Sequence, residues 1–195
     1  MRFAFDQEQR QFAATLREFL ERECTGKDVR SYAGGDRTRS ADRWRGLAEM
    51  GVVGLTAPVE HGGLGMDEIG LVLLIEEAGR VVLPEPLVQV TAVGIPLLRD
   101  AAPNPVGERW LPKAARGEIK IGVGVGPTPF VADGEDVDVL ILERRGSIHV
   151  LPRDEVTLTP VFSVDPTRSL STVEWEATDG SLLLGGETGR AAAEL

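Results

Sequence analysis

Apolar residues recur every three or four positions through the first 117 residues and alternate with small or polar neighbours beyond Gly117. In residues 6–24 Phe12, Leu16, Phe19 and Leu20 share one helical face, and Asp6 with Gln9 three positions later has the spacing of a capping box. Residues 32–36, with Gly34-Gly35, read as a loop. Ser40 or Asp42 then opens a second helix that turns Trp44, Leu47 and Ala48 inward and stops near Gly51. A linker rich in Gly and Pro, residues 54–66, precedes a third helix capped by Asp67, carrying Ile69, Val72, Leu73 and Ile75 and ended by Gly79. Pro86 opens a further helix that Pro96 kinks or shortens, and Asn104-Pro105 opens a short one around Trp110-Leu111.

Alternation starts with Ile119, Ile121, Val123 and Val125. More strands are expected over 137–142, 147–151, 156–164, 170–176 and 181–184, punctuated by Gly146, Pro160, Pro166 and Asp179-Gly180. Short strands at this spacing suit a small sandwich or partial barrel. The final segment, residues 187–195, favours helix but spans barely two turns, so it needs docking to persist. The fold class expected is α+β. An all-helical N-terminal domain, residues 1–117, precedes a small antiparallel β-sandwich or partial barrel, residues 118–186, and residues 187–195 begin another helix.

A length of 195 residues allows one or two compact domains, and 42% hydrophobic with 27% charged residues is ordinary globular composition. The 31 acidic residues outnumber 21 basic ones, which argues against nucleic acid as a partner. The basic run of Lys27, Arg30, Arg37, Arg39, Arg43 and Arg45 is interleaved with Asp28, Asp36 and Asp42 and reads as a solvated helix-and-loop surface. Cys24 is the single cysteine and falls on the apolar face of the first helix, the position of a buried structural thiol in a reducing compartment. The start lacks an apolar signal core and the longest aliphatic run, residues 69–75, is too short for a bilayer, so a cytoplasmic protein without membrane contact is expected. His61 and His149 stand without a neighbouring ligand pattern, and no metal is expected. Gly122-Val-Gly-Val-Gly126 could let backbone approach a phosphate, but Pro127-Thr-Pro129 follows where a dinucleotide fold needs a helix.

The segment Met50-Gly-Val-Val-Gly-Leu-Thr-Ala-Pro-Val-Glu-His-Gly-Gly-Leu-Gly65 resembles the G-x-x-G-L-x-x-P-x-E-x-G-G-x-G signature of acyl-CoA dehydrogenases. Its flanks follow the same order. Phe5-Asp-Gln-Glu-Gln opens the first helix, Glu76-Glu77-Ala-Gly-Arg80 ends a later one, and Arg109-Trp-Leu-Pro112 through Gly117-Glu118 leads into strands. In this loop the paired glycines permit positive-φ turns, Pro58 stiffens the approach and Glu60 is placed to anchor it through backbone hydrogen bonds; its main task is to reverse the chain.

The resemblance implies three parts: a helical domain, a β-domain and a C-terminal four-helix domain, the last absent from this sequence. It implies FAD held between the β-domain and that last domain. The family reaction is α,β-dehydrogenation of an acyl-CoA thioester: a Glu base removes the α-proton while the β-hydrogen leaves as hydride to the flavin. Family members carry L-T-E-P or L-S-E-P and then G-x-G-S-D where a strand end meets the flavin. At that place this chain reads Val125-Gly-Pro-Thr128, which leaves Val125 and Gly126 to offer backbone groups and Thr128 a hydroxyl, while Phe130 and Val131 stand where Ser and Asp are usual. The hairpin with the family's W-x-T or W-x-S flavin contact is missing, and no catalytic residue is assigned, neither Glu118 nor Glu135 having a geometric warrant. Residues 163–170, Ser-Val-Asp-Pro-Thr-Arg-Ser-Leu, resemble bacterial members that pair with a flavin-competent subunit, often on bulky CoA thioesters such as steroid side-chain intermediates. The family reaction is therefore expected to require either a partner subunit or the missing C-terminal domain, with a homo- or hetero-oligomer containing another such subunit expected. The alternative is a non-catalytic scaffold subunit that stabilises an active partner.

Overall fold

The computed structural model describes residues 4–36, 39–126 and 128–194. Helix α1 (Gln7–Glu23) starts at the expected capping box: the Asp6 carboxylate accepts from the Gln9 amide at 2.8 Å, and the Gln9 side chain accepts from the Asp6 amide at 3.0 Å. Two donors left over at the helix start are thereby satisfied. Helix α2 (Gly26–Ala33) repeats the device with Thr25 and Asp28, and it buries Tyr32 in its last turn. Tyr32 is thus helical rather than looped, and the expected loop begins at Gly34. Ser40, not Asp42, caps α3 (Ala41–Glu49), which buries Trp44 and Leu47.

Asp67 caps α4 (Glu68–Arg80), whose buried apolar side chains are Leu71, Leu74 and Ala78. Ile69 and Val72 point away from the core and are exposed. The helix passes Gly79 and closes by two backbone bonds, Leu83 to the Ala78 carbonyl and Val82 to the Gly79 carbonyl. A π-helical segment, Gln89–Gly94, runs directly into α5 (Ile95–Asp100). The wider turn carries the Ile95 amide back to the Val90 carbonyl and absorbs an extra residue just ahead of Pro96, which has no amide to continue the ladder. Asn104 caps α6 (Pro105–Ala115) and also donates to the Leu183 carbonyl at 2.9 Å, tying that helix to the sheet.

Seven strands follow among the described residues, the expected ones plus a short β2: β1 (Ile121–Gly124), β2 (Phe130–Ala132), β3 (Val139–Arg144), β4 (Ser147–Pro152), β5 (Thr157–Val161), β6 (Leu170–Glu174) and β7 (Leu182–Leu184). They form two open sheets of order β1-β3-β4-β7 and β2-β6-β5, antiparallel except for the parallel β1–β3 pair. A parallel pair needs a crossover, which β2 and one 3-10 turn, Gly134–Asp136, supply by way of the second sheet. Helix α7 (Gly186–Ala193) docks against β4.

The first sheet is covered on both faces. Val139, Ile141, Ile148 and Val150 join the helical core, while Leu140, Leu142 and Leu151 meet Val131 and Val156 on the other side. Such double coverage explains the unbroken apolar run of β3.

Two buried ion-pair groups correct the reading of the basic run as solvated. Arg43 grips Glu85 with Nε 2.9 Å from both carboxylate oxygens and donates to the Glu23 carbonyl at 2.6 Å. Arg39 meets Asp133 at 2.6 Å and Asp136 at 3.3 Å, and Arg168 reaches Asp133 and the carbonyls of Leu83 and Pro84. Lys27, Arg30 and Arg45 are exposed, and Arg37 lies outside the described residues. The loop over residues 50–66 is closed by its own backbone, Leu64 to Gly54, Gly65 to Ala57 and Met66 to Leu55. Exposed Glu60 therefore does not anchor it. A side chain at Gly63 would overlap the Ala57 carbonyl, so glycine is required there. Cys24 is buried, and so is His149, whose Nδ1 lies 2.9 Å from the Ser181 hydroxyl. Among the described residues no helix is long and apolar enough to cross a membrane.

Candidate functional site

A cleft of about 1190 Å³ opens where the rod of residues 89–100, the end of β1, the β3–β4 turn and α7 converge. Its walls are aliphatic. Pro96 and Leu97 come from the rod, Val123 and Val125 from β1, and residues 191–193, all alanine, from α7. The short α7 reaches this place because it cannot persist unsupported and packs on β4, its buried Gly189 lying against the Gly146 and Leu184 carbonyls. The β1–β3 pairing ends at Gly124, so the chain through Val125 and Gly126 runs on beyond the ladder into the cleft.

Charge is confined to the lip. The Asp100 carboxylate is held by Arg99 at 2.6 and 3.0 Å. Hydrogen bonds to Asp100 and then Glu68 push the Arg99 guanidinium well above its ordinary range, so Arg99 keeps its charge. Glu143 accepts the Gly146 amide at 2.6 Å. Both carboxylates are thus engaged in holding structure. Arg190 and Glu194 complete the charged lip.

Of the three residues expected to meet a cofactor, Val125 and Gly126 line the cleft half-buried, whereas Thr128 is exposed and outside its lining. Pro127 between them lies outside the described residues. Phe130 is partly exposed, and Val131 is buried between the sheets. Glu118 pairs with Arg116 on the surface, and Glu135 is exposed in the 3-10 turn; neither lines the cleft. That single turn is all that separates β2 from β3, with no hairpin between them. For the implied FAD, the backbone at Gly126 borders open space: among the described residues a side-chain carbon built there would meet only the Ala193 carbonyl oxygen, at 3.9 Å. The described residues supply no second wall. The alanines of α7 and the Pro96 turn are invisible as site residues in the sequence, although an Ala-rich helix too short to stand alone does signal docking.

Residues 6–118 match the family model described as acyl-CoA dehydrogenase, N-terminal domain. The chain is 28% identical over 174 residues to acyl-CoA dehydrogenase IpdE2 of Mycobacterium tuberculosis, covering 89% of this chain and 53% of that relative. It is 34% identical over 166 residues to mitochondrial isovaleryl-CoA dehydrogenase of Pongo abelii, covering 78% and 36%. Its fold matches the ChsE4-ChsE5 complex from Mycobacterium tuberculosis with a TM-score of 0.84 at 14% identity, over 98% of this chain and 61% of that one. The chain spans about half the length of the IpdE2 relatives it matches.

Proposed function

This chain belongs to the acyl-CoA dehydrogenase family, and on that footing we propose that its cleft receives the acyl group of a CoA thioester for FAD-dependent α,β-dehydrogenation. One observation carries the reading: the aliphatic cleft runs to the very strand end, Val125 and Gly126, at which the family resemblance puts the flavin. The aliphatic walls would exclude water from the Cα–Cβ bond, and the backbone at residues 125 and 126 would orient the flavin. Bound FAD would supply the hydride acceptor.

The base and the second flavin wall come, in this proposal, from outside these residues. A partner subunit of the same family is the source we favour, and the likeness to the ChsE4-ChsE5 complex supports it. We expect the chain purified alone to be colourless and to acquire flavin when co-expressed with such a partner. A stoichiometric flavin absorption band in the isolated chain would overturn the partner requirement.

A second reading, a scaffold without chemistry, is favoured by the commitment of Asp100 and Glu143 to structural bonds. Filling the cleft separates the two. Ala191→Trp, at an exposed lining position, abolishes turnover of the co-expressed assembly if the cleft takes substrate and leaves it intact if this chain is a scaffold.

A further inference from the structure

Among the described residues Arg190 has no ion-pair or hydrogen-bond partner, yet its side chain is seated. A carbon added at Gly146 would fall 2.5 Å from the Arg190 Cγ and 3.3 Å from its Cδ, so the glycine leaves a shelf on which the aliphatic stem lies. Gly146 has φ of +76°, a conformation that favours glycine in its own right. The seat is tightened by Gly189, where a side chain would overlap the Gly146 carbonyl. A stem packed by the turn and a head left without a partner put a positive charge at the lip of an otherwise aliphatic cleft, with little rotamer freedom left to lose on binding.

The neighbouring carboxylates do not cancel it by pairing. Asp100 is taken by Arg99, Glu143 by the Gly146 amide, and Glu194 lies outside ion-pair distance. They do keep the lip from being a general anion trap, so a free anion gains little there. A ligand anchored by an apolar body is different, because its body supplies affinity and its anionic end meets Arg190.

We infer that Arg190 is a specificity residue of the cleft, pairing with an anionic group on the bound thioester. The group is either a carboxylate at the far end of the acyl chain or a phosphate of the CoA. The inference rests on the acyl-thioester reading of the cleft. Arg190 holds no reacting atom and takes no part in bond making.

The test is binding of three probes by calorimetry, butyryl-CoA, glutaryl-CoA and butyryl-pantetheine, to the wild-type chain and to Arg190→Gln. Position 190 is exposed, so the variant is expected to fold. With a distal carboxylate as the partner, glutaryl-CoA binds about tenfold more tightly than butyryl-CoA, and the variant loses that margin. With a CoA phosphate as the partner, both CoA thioesters bind more tightly than the pantetheine and lose that margin in the variant. Arg190→Lys keeps part of either margin. Equal affinities of wild type and Arg190→Gln for all three probes would overturn the inference and leave the cleft reading intact. Absence of any binding to the wild type would instead overturn the cleft reading itself.

Discussion

Glu85 is 1% exposed, and its charge is tolerated there because Arg43 closes on it. Burial works against the Arg43 cation, while the hydrogen bonds it donates to Glu85 hold its pKa above the ordinary value. Removing one member of a buried pair leaves the other without compensation, at about 3–5 kcal/mol. Glu85→Ala is therefore expected to lower the unfolding free energy by that amount, seen as a lower urea midpoint at unchanged slope, and replacing Arg43 and Glu85 together with Met and Leu is expected to recover much of the loss. A cost under about 1 kcal/mol for the single variant would mean that Arg43 finds water or another partner.

His149 makes the opposite case. Burial, and then the charge of Arg144, push its imidazole below the usual value, partly opposed by a hydrogen bond to the Thr178 backbone. The folded pKa is depressed, so as pH falls the unfolded chain takes up the proton first. The contribution is present above about pH 6.5 and is lost as pH falls toward the folded value. Wild-type stability should decline between about pH 7 and about pH 5, and His149→Asn should flatten that window. Glu77, whose carboxyl Arg17 and Arg80 hold below its usual range, gives way only at lower pH and does not confound the measurement.

At the scale of elements, the end of α4 carries a residue that its geometry disfavours. Leu83 bonds back to Ala78 and Val82 to Gly79, the pattern that puts a left-handed residue just past a helix. That residue is Val82, with φ of +53° and a side chain about half exposed. A β-branched side chain is a poor occupant of that region, so Val82→Gly is expected to stabilise by about 1 kcal/mol after allowing for glycine's greater freedom when unfolded. A loss of stability would show that Val82 packing outweighs its backbone strain.

Caps were the most legible feature, because Asp6, Ser40, Asp67 and Asn104 each act within three residues of themselves. Helix α2 escapes a periodicity reading because it is eight residues long and buries only Tyr32. Strand β2 spans three residues, too few to display alternation. The ionic partners of Arg39 and Arg43 are illegible for another reason: Glu85 and Asp133 are 42 and 94 positions away, and only the tertiary fold brings them together. The cleft divides similarly. Val125 and Gly126 follow from the family resemblance, whereas Pro96, Arg190 and the alanines come from segments that converge only in three dimensions.

The whole molecule hinges on whether its helical and β parts act as one body. The core runs without a break from Leu16 and Leu47 in the helices to Ile121, Ile141 and Val150 in the first sheet. Across the same junction Asp133, fully buried with φ of +58°, accepts both Arg39 from the helical side and Arg168 from the β side. Arg168 belongs to the segment whose likeness suggested a partnered subunit, and it serves as an internal clasp through the Leu83 and Pro84 carbonyls. Asp133→Asn keeps a residue that tolerates left-handed backbone but withdraws the charge from between two arginines, one of them 2% exposed. The expected loss is about 3 kcal/mol, with a single unfolding transition. Hydrogen exchange should then show α1, α4, β3 and β4 losing protection together, because the continuous core couples them even with the clasp weakened. Loss of protection in β3 and β4 while α1 and α4 keep theirs would show instead that the clasp, not the shared core, joins two independently stable units.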